Sequence, residues 1–225
     1  MATGWWMSDL LESGRGALLA GWIFWIVFSI CMHELAHGWV AIWQGDDTPR
    51  VTGHMTINPL VHMGWLSLAV FVFTGYAWGT MPVNPSRFRS GRRGHLYVSA
   101  AGPGMNIAIA VVCLTTLGVL KGLRYGENST TEVANNLFVF LRVGGWLNLF
   151  LAVFNLLPVA PLDGSTIVAS LSRRGYELMQ HPFVRQAGFI ILLLVLFQSG
   201  ASGVISARMM ELAHWWESIV VSFFR

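Results

Sequence analysis

Charged side chains are scarce in this sequence. Only 11% of its 225 residues are charged, whereas 54% are hydrophobic, and the mean hydropathy is +0.56. A soluble domain usually carries about a quarter charged residues. Apolar runs near or above about 18 residues, the length that crosses a bilayer as a helix, recur along the chain. The composition therefore excludes an ordinary soluble domain and indicates an α-helical polytopic membrane protein.

Cysteines and long polar segments are also scarce. Cys31 and Cys113 are the two cysteines, and both lie in apolar runs, so the sequence offers no disulfide framework. The segments between apolar runs are too short for a second folded domain, and we expect a single membrane domain over residues 1–225. The first fifteen residues do not show the basic start of a cleavable signal peptide.

The excess of basic residues is small. The net charge is +3 and the isoelectric point lies near 9.2, which could indicate binding to nucleic acid. However, the arginines cluster in short loops between apolar runs, where basic residues set the orientation of a membrane protein. We expect contact with the lipid bilayer and no nucleic-acid partner.

The order of the apolar segments predicts about five to six membrane segments. Segment 64–78 has only about 15 residues, which is short for a full crossing, so we expect it to be re-entrant. Whether the last two segments, 183–197 and 204–224, both cross is left open. Residues 51–57 alternate apolar and polar side chains, which predicts a small membrane-associated β-hairpin after the first segment.

Three ionisable residues interrupt the first apolar segment within five positions. They are His33, Glu34 and His37, in the sequence H-E-L-A-H. On a helix, two histidines four residues apart lie on one face, which suits two imidazole nitrogens binding one Zn²⁺. The glutamate between them can accept a proton from a water at the metal. A chance pentapeptide is the alternative, but ionisable groups in a membrane span cost about 2.5 kcal/mol or more and usually have a function.

A catalytic zinc needs a third protein ligand, for which Asp163 is the candidate. It lies in N-L-L-P-V-A-P-L-D-G, where Pro158 and Pro161 prevent a regular helix. Irregular backbone at membrane depth is tolerated only where it is packed in protein or lines a wet cavity. Asp163 could instead cap the following helix. Beside the H-E-x-x-H motif, we favour the interpretation as a ligand.

The two motifs together resemble those of the site-2 protease family of intramembrane zinc peptidases. The resemblance extends to I-N-P-L-V-H, P-V-N-P-S-R-F-R-S-G-R-R-G and A-G-P-G-M-N, and it covers about residues 17–175, leaving the C-terminal helices of 183–224 outside. The chain resembles a compact form of this family, without the PDZ or CBS domains of some relatives. Ser165 stands where relatives commonly have a second glycine, and we expect little consequence.

The resemblance implies a role for each residue of the site. One Zn²⁺ would be bound by His33, His37 and Asp163. Glu34 would be the catalytic base, and Asn155 would bind the substrate backbone or the developing oxyanion. The implied activity is hydrolysis of a peptide bond within or near a transmembrane helix of a membrane-protein substrate.

The three proposed ligands must reach the same metal ion, and this requirement constrains the membrane topology. His33 and His37 lie in the second half of the first segment, and Asp163 follows the end of segment 133–157. Both segments must end on the same side of the membrane, which requires segment 64–78 to be re-entrant. One side then carries eight arginines, against three to five basic residues on the other. The eight are Arg50, Arg87, Arg89, Arg92, Arg93, Arg173, Arg174 and Arg185. The positive-inside rule therefore places the metal site toward the cytoplasmic half.

Three further polar residues have open roles. His54 and His62 either line the substrate path or stabilise the transition state, or they are interfacial histidines without such a role. Asn106 follows A-G-P-G-M within an apolar span, and we expect its amide to form a buried hydrogen bond between helices.

We expect a multi-pass protease of a bacterial or archaeal cell membrane, with a possible regulatory membrane partner. In this account, an unwound substrate pairs with an edge strand at residues 51–57. A catalytically silent binding protein of the same fold is an alternative, but the intact Glu34 argues against it. A metal transporter is a weaker alternative, since it would be expected to carry acidic or histidine residues on several spans.

Overall fold

The computed structural model describes residues 15–123, 132–181 and 200–224, together with Met7, Phe183, Val184, Gly188, Ile190, Ile191 and Leu194. Within these residues the chain forms eight α-helices and no β-strand. The helices are α1 (Gly16–Trp43), α2 (Thr48–Val51), α3 (Pro59–Thr74), α4 (Arg92–Gly122), α5 (Glu132–Asn155), α6 (Asp163–Leu171), α7 (Arg173–Gln180) and α8 (Ala201–Ser222).

Among the described residues, three helices are long and apolar enough to cross a membrane, namely α1, α4 and α5. Helix α3 is apolar but has only 16 residues. Most of segment 183–197, whose crossing the sequence leaves open, lies outside the described residues.

Helices α1, α4 and α5 pack closely around an apolar core to which α3 also contributes. Trp25 lies at the centre of this packing, and its indole N–H donates a hydrogen bond of 2.8 Å to the carbonyl of Phe140. A Cβ atom at Gly144 would overlap the Trp25 ring, and one at Gly145 would overlap Leu114. The two glycines thus allow α5 to approach both neighbouring helices, as small residues do between membrane helices.

Helix α3 enters the bundle and the chain then returns beside it. The helix begins after Asn58, whose side chain caps it by accepting from the Leu60 N–H, and it ends at Gly75 with a φ of 80°. On the return path the Trp78 carbonyl accepts from the Ser67 hydroxyl at 2.7 Å, and the Thr80 N–H donates to the His62 carbonyl at 2.9 Å. Such a path is expected of a re-entrant segment.

The return path finishes at the end of α1. There the Asn84 N–H donates to the carboxylate of Asp46 at 2.6 Å, and Thr48 donates to the same carboxylate from its N–H and its hydroxyl. Burial alone raises the pKa of Asp46, but these hydrogen bonds outweigh burial and hold that pKa below its usual range. Asp46 therefore fastens the loop after α3 to the end of α1.

The predicted β-hairpin at residues 51–57 is wrong. The N–H of Thr52 donates to the Thr48 carbonyl, and the N–H of His54 donates to the Pro49 carbonyl, so the chain closes helical turns instead of extending. The apolar residues of the alternating pattern do not form a buried face, since Val51 is 81% exposed and Ile57 is 76% exposed. A strand also needs a partner to pair with, and the part of the chain that the structure describes offers none.

Helix α8 runs parallel to the second half of α4. The Trp216 indole N–H donates to the Thr115 hydroxyl at 3.0 Å, and further along a Cβ atom at Gly118 would meet Val220. The buried carboxylate of Glu217 forms ion pairs with Lys121 and, at 3.6 Å, with Arg142. The C-terminal end of α8 therefore lies beside the end of α4, far from the first turns of α4.

Candidate metal centre

Two histidines of α1 and the aspartate at the start of α6 converge inside the bundle. The Nε2 atom of His33 lies 3.0 Å from Oδ2 of Asp163, and the Nε2 atom of His37 lies 3.4 Å from Oδ1 of the same carboxylate. Their possible ligand atoms all lie within 4.8 Å of one another. The structure thus brings together the three residues that the sequence proposes as metal ligands.

The second ring nitrogen of each histidine is held by a different partner. Nδ1 of His37 lies 2.6 Å from the carbonyl oxygen of Val98, which can only accept a hydrogen bond. Nδ1 of His33 lies 2.6 Å from the side-chain oxygen of Asn106. Each Nδ1 therefore carries the hydrogen and donates it, which leaves the lone pair of Nε2 pointing toward Asp163. This arrangement orients imidazoles that bind a metal through Nε2.

The chemistry of this group fits a metal cation. Two imidazole lone pairs and a carboxylate face one another at short distance, and such electron-rich atoms repel unless a positive charge lies between them. The Oδ2 atom of Asp163 is buried and accepts no hydrogen bond from the described residues. In addition, a Cβ atom at Gly102 of α4 would overlap both Nε2 atoms, so the glycine leaves this space free. Two histidines and one carboxylate form a ligand set of catalytic zinc sites.

The irregular segment before α6 places Asp163. Residues 156–162 lack regular helix, as Pro158 and Pro161 predict. A Cβ atom at Gly164 would overlap the backbone of Leu156 and Leu157, so only glycine fits this close crossing. The side chain of Asp163 does not cap α6, because the capping position is Leu162 and has no side-chain hydrogen bond. The carboxylate is therefore directed to the histidines.

A chain of buried amides extends from the site across three helices. The Asn106 amide donates to Oδ1 of Asn148 at 2.9 Å, and the Asn148 amide donates to the Gly144 carbonyl at 2.8 Å. Both asparagines are fully buried. Asn106 thus makes the hydrogen bond between helices that the sequence predicts. Asn148 is not among the residues predicted from the sequence, although an amide in the middle of an apolar span is a signal that could have identified it.

Glu34 lies between the two histidines in sequence and is 8% exposed. The return segment after α3 passes directly against it. A Cβ atom built on Gly79 would lie 2.7 Å from Cγ of Glu34 and 2.8 Å from its Oε1. On α1, one helical turn after Glu34, a Cβ atom built on Gly38 would lie 2.7 Å from Sδ of Met55. The sequence around Gly79 gives no sign of its contact with Glu34, because the contact joins segments that are distant in the chain.

The remaining candidates have different surroundings. Asn155 is half-buried at the end of α5, and its amide donates to the Leu151 carbonyl at 3.0 Å, so its predicted contact with substrate stays a prediction. His62 is only 1% exposed, with Nε2 lying 2.6 Å from the Thr56 carbonyl, and is therefore buried rather than interfacial. His54 is half-buried and bonds to Thr52.

Comparison with known proteins identifies the family. The family model of peptidase family M50 matches residues 21–195. YwhC of Bacillus subtilis, which carries the provisional name of zinc metalloprotease, is 33% identical over 171 residues, covering 76% of this chain and 77% of YwhC. Rip2 of Mycolicibacterium smegmatis, named in the same way, is 27% identical over 206 residues, covering 88% of this chain and 72% of Rip2. No solved structure matches.

The chain belongs to peptidase family M50, the site-2 protease family. The resemblance expected from the sequence motifs is thereby confirmed. The family is one of membrane-embedded zinc metalloproteases, and the three apolar helices α1, α4 and α5 agree with this setting.

Proposed function

We propose that this protein is an intramembrane zinc endopeptidase that hydrolyses a peptide bond within or near a transmembrane segment of another membrane protein. The observation that carries the proposal is the convergence of His33, His37 and Asp163 inside a bundle of membrane-length helices, with Glu34 on the same helix as the two histidines. The provisional names of the relatives support zinc as the metal.

Different residues would perform metal binding and proton transfer during hydrolysis. His33, His37 and Asp163 would hold the zinc, and a fourth position would remain open for substrate. When bound, zinc would polarise the scissile carbonyl and make the attacking water more acidic. The Glu34 carboxylate would accept a proton from that water and deliver it to the leaving amine. Because Glu34 is buried, little bulk water competes for this proton.

The substrate must be opened before it can react. In a transmembrane helix each carbonyl accepts a hydrogen bond from its own backbone, so the scissile bond becomes accessible only after local unwinding. Asn155 lies eight residues before Asp163 and would bind the opened substrate backbone or the developing oxyanion. One of its amide N–H groups already donates to Leu151, which leaves the other N–H and Oδ1 for substrate.

The protein would act in the cell membrane of a bacterium or archaeon, with the site toward the cytoplasmic half. The arginines that precede and begin α4, together with those that begin α7, support this orientation. Its proposed partners are a membrane protein with a transmembrane helix and a second membrane protein that regulates access to the site.

The proposal is tested by metal removal and restoration with the protein in liposomes. A panel of single-span reporter proteins is co-reconstituted, and both cleavage fragments are identified by mass spectrometry. Cleavage should stop when a chelator removes zinc, return when zinc is restored, and map to the membrane-spanning segment. The variant His37→Ala should neither bind zinc stably nor cleave. Cleavage that persists without zinc, or that maps only to soluble parts of the reporters, would contradict the proposal.

A further inference from the structure

A basic cavity lies where α4 begins and α6 ends. Its volume is about 790 Å³, and its lining includes Arg89, Arg92 and Arg93. Leu96 and Tyr97, which lie one turn beyond Arg92 and Arg93 on α4, also line it, together with Leu171 at the end of α6. No acidic side chain lines the cavity. A site in which arginines precede apolar side chains along one helix suits an amphiphilic anion.

The three arginines are not equivalent. Arg92 is engaged within the protein, since its Nε donates to the Ser170 carbonyl at 2.8 Å and its terminal nitrogen donates to the Leu171 carbonyl at 3.2 Å. These carbonyls end α6, where a cation is favourable. The guanidinium groups of Arg89 and Arg93 have no ion pair or hydrogen bond with the described residues. Two cations therefore remain for a ligand.

The cavity also lies at the level where aromatic residues mark the membrane surface. Tyr97 contacts the ring of Trp43 at the end of α1, with ring centroids 6.2 Å apart, and Trp43 is 66% exposed. Exposed tryptophan and tyrosine side chains concentrate at the headgroup level of membranes. Leu171 beside them is 62% exposed, although it adjoins charged residues. Leu96, Tyr97 and Leu171 would thus face lipid, and the arginines would face the headgroups.

We propose that this cavity binds the phosphate headgroup of an anionic phospholipid, with Arg89 and Arg93 contacting the phosphate and the acyl chains leaving along Leu96, Tyr97 and Leu171. Basic pockets between membrane helices are suited to such headgroups. Because Arg92 in the same cavity holds the end of α6, and α6 begins with Asp163, the bound lipid would steady the helix that carries the aspartate. The proposal requires a membrane-embedded protein and does not depend on proteolysis.

The test measures lipid binding to the purified full-length protein by native mass spectrometry. Phosphatidylglycerol is titrated against phosphatidylcholine, and inorganic phosphate is added as a competitor in a separate arm. The wild type should retain phosphatidylglycerol in preference to phosphatidylcholine. The double variant Arg89→Gln/Arg93→Gln should bind phosphatidylglycerol about tenfold or more weakly, because each basic residue near the surface contributes to attraction of anionic lipid.

The matched control is the double variant Arg50→Gln/Arg173→Gln. It removes the same two charges, but these arginines pair with Asp47 and Glu177 and lie outside the cavity. The control should bind phosphatidylglycerol within about twofold of the wild type. Equal loss in both double variants would show diffuse attraction and overturn the proposal. Equal binding of the two lipids would overturn it as well, as would displacement of phosphatidylglycerol by an equimolar amount of inorganic phosphate.

Discussion

Nδ1 of His33 lies 2.6 Å from Oδ1 of Asn106, and this hydrogen bond joins the proposed metal site to the packing of the bundle. Asn106 belongs to α4 and passes the connection to Asn148 of α5, so one polar chain crosses three helices. An imidazole fixed in this way presents Nε2 in one orientation, which a freely rotating ring would not do.

Replacing Asn106 with leucine should weaken zinc binding. The His33 Nδ1–H would lose its acceptor, and the ring would be free to turn away from Asp163. Loss of such a partner typically costs about 10–100-fold in metal affinity. Competition with a chelator of known zinc affinity measures the change. The same substitution at Asn136, which is exposed on α5, serves as the control and should leave zinc affinity unchanged.

A methyl group at Gly102 should block the metal position. The Cβ atom of Gly102→Ala would overlap Nε2 of both His33 and His37, so the histidines could not keep their geometry. Gly104→Ala lies on the same helix and meets nothing within 4 Å, which makes it a matched control. We expect the purified Gly102→Ala protein to contain little zinc and the Gly104→Ala protein to contain as much as the wild type. Equal zinc content in both variants would show that the space beside Gly102 is not the metal position.

Gly79→Ala should separate catalysis from metal binding. The added Cβ atom would lie 2.7 Å from Cγ of Glu34 and would push this side chain aside, while the two histidines keep their own partners. Zinc content should stay near that of the wild type, and kcat/KM should fall about 100-fold or more, since a misplaced general base loses most of its contribution. Gly203→Ala, on α8 with nothing within 4 Å, is expected to cleave normally. Normal cleavage by Gly79→Ala would show that Glu34 tolerates displacement.

Asp46 should make stability depend on pH. Its pKa is below the usual range in the folded protein, so its contribution is present above the unfolded pKa of about 3.9 and is lost as the pH falls through the lower folded value. At neutral pH, Asp46→Asn should cost about 2 kcal/mol, because hydrogen bonds from Thr48 and Asn84 lose a charged acceptor. Thermal unfolding in detergent between pH 3 and 7 measures both effects.

The control for this measurement is Asp47→Asn. Asp47 is the neighbouring residue, but its exposed ion pair with Arg50 should contribute less than about 1 kcal/mol. An acid-dependent loss of stability that persists unchanged in Asp46→Asn would assign the effect to other groups.

The sequence pointed to the candidate site because ionisable groups are conspicuous in apolar helices. His33, His37 and Asp163 stand out in segments where a charge is costly, and the two prolines before Asp163 predict the irregular backbone that places it. The requirement that these residues meet also led to the expected return path of segment 64–78. Each of these inferences depends on a local feature, such as an ionisable side chain or a proline, that costs free energy in an apolar membrane helix.

The errors and omissions concern contacts between distant segments. The seven alternating residues 51–57 suggested a strand, but side-chain alternation says nothing of whether a partner strand exists, and local turns satisfied the backbone instead. The contact of Gly79 with Glu34 and the link from Asn106 to Asn148 join residues 45 and 42 positions apart in the chain. Such pairs are fixed by how the helices pack, which no single segment of the sequence encodes.

The most direct test of the account is the cleavage of a single-span reporter by Glu34→Gln in liposomes, with zinc content measured on the same sample. The amide cannot accept the proton of the attacking water, whereas His33, His37 and Asp163 are unchanged. We predict a protein that holds one zinc per chain and releases no cleavage fragments. Cleavage at the wild-type rate by a zinc-loaded Glu34→Gln protein would contradict the proposed mechanism.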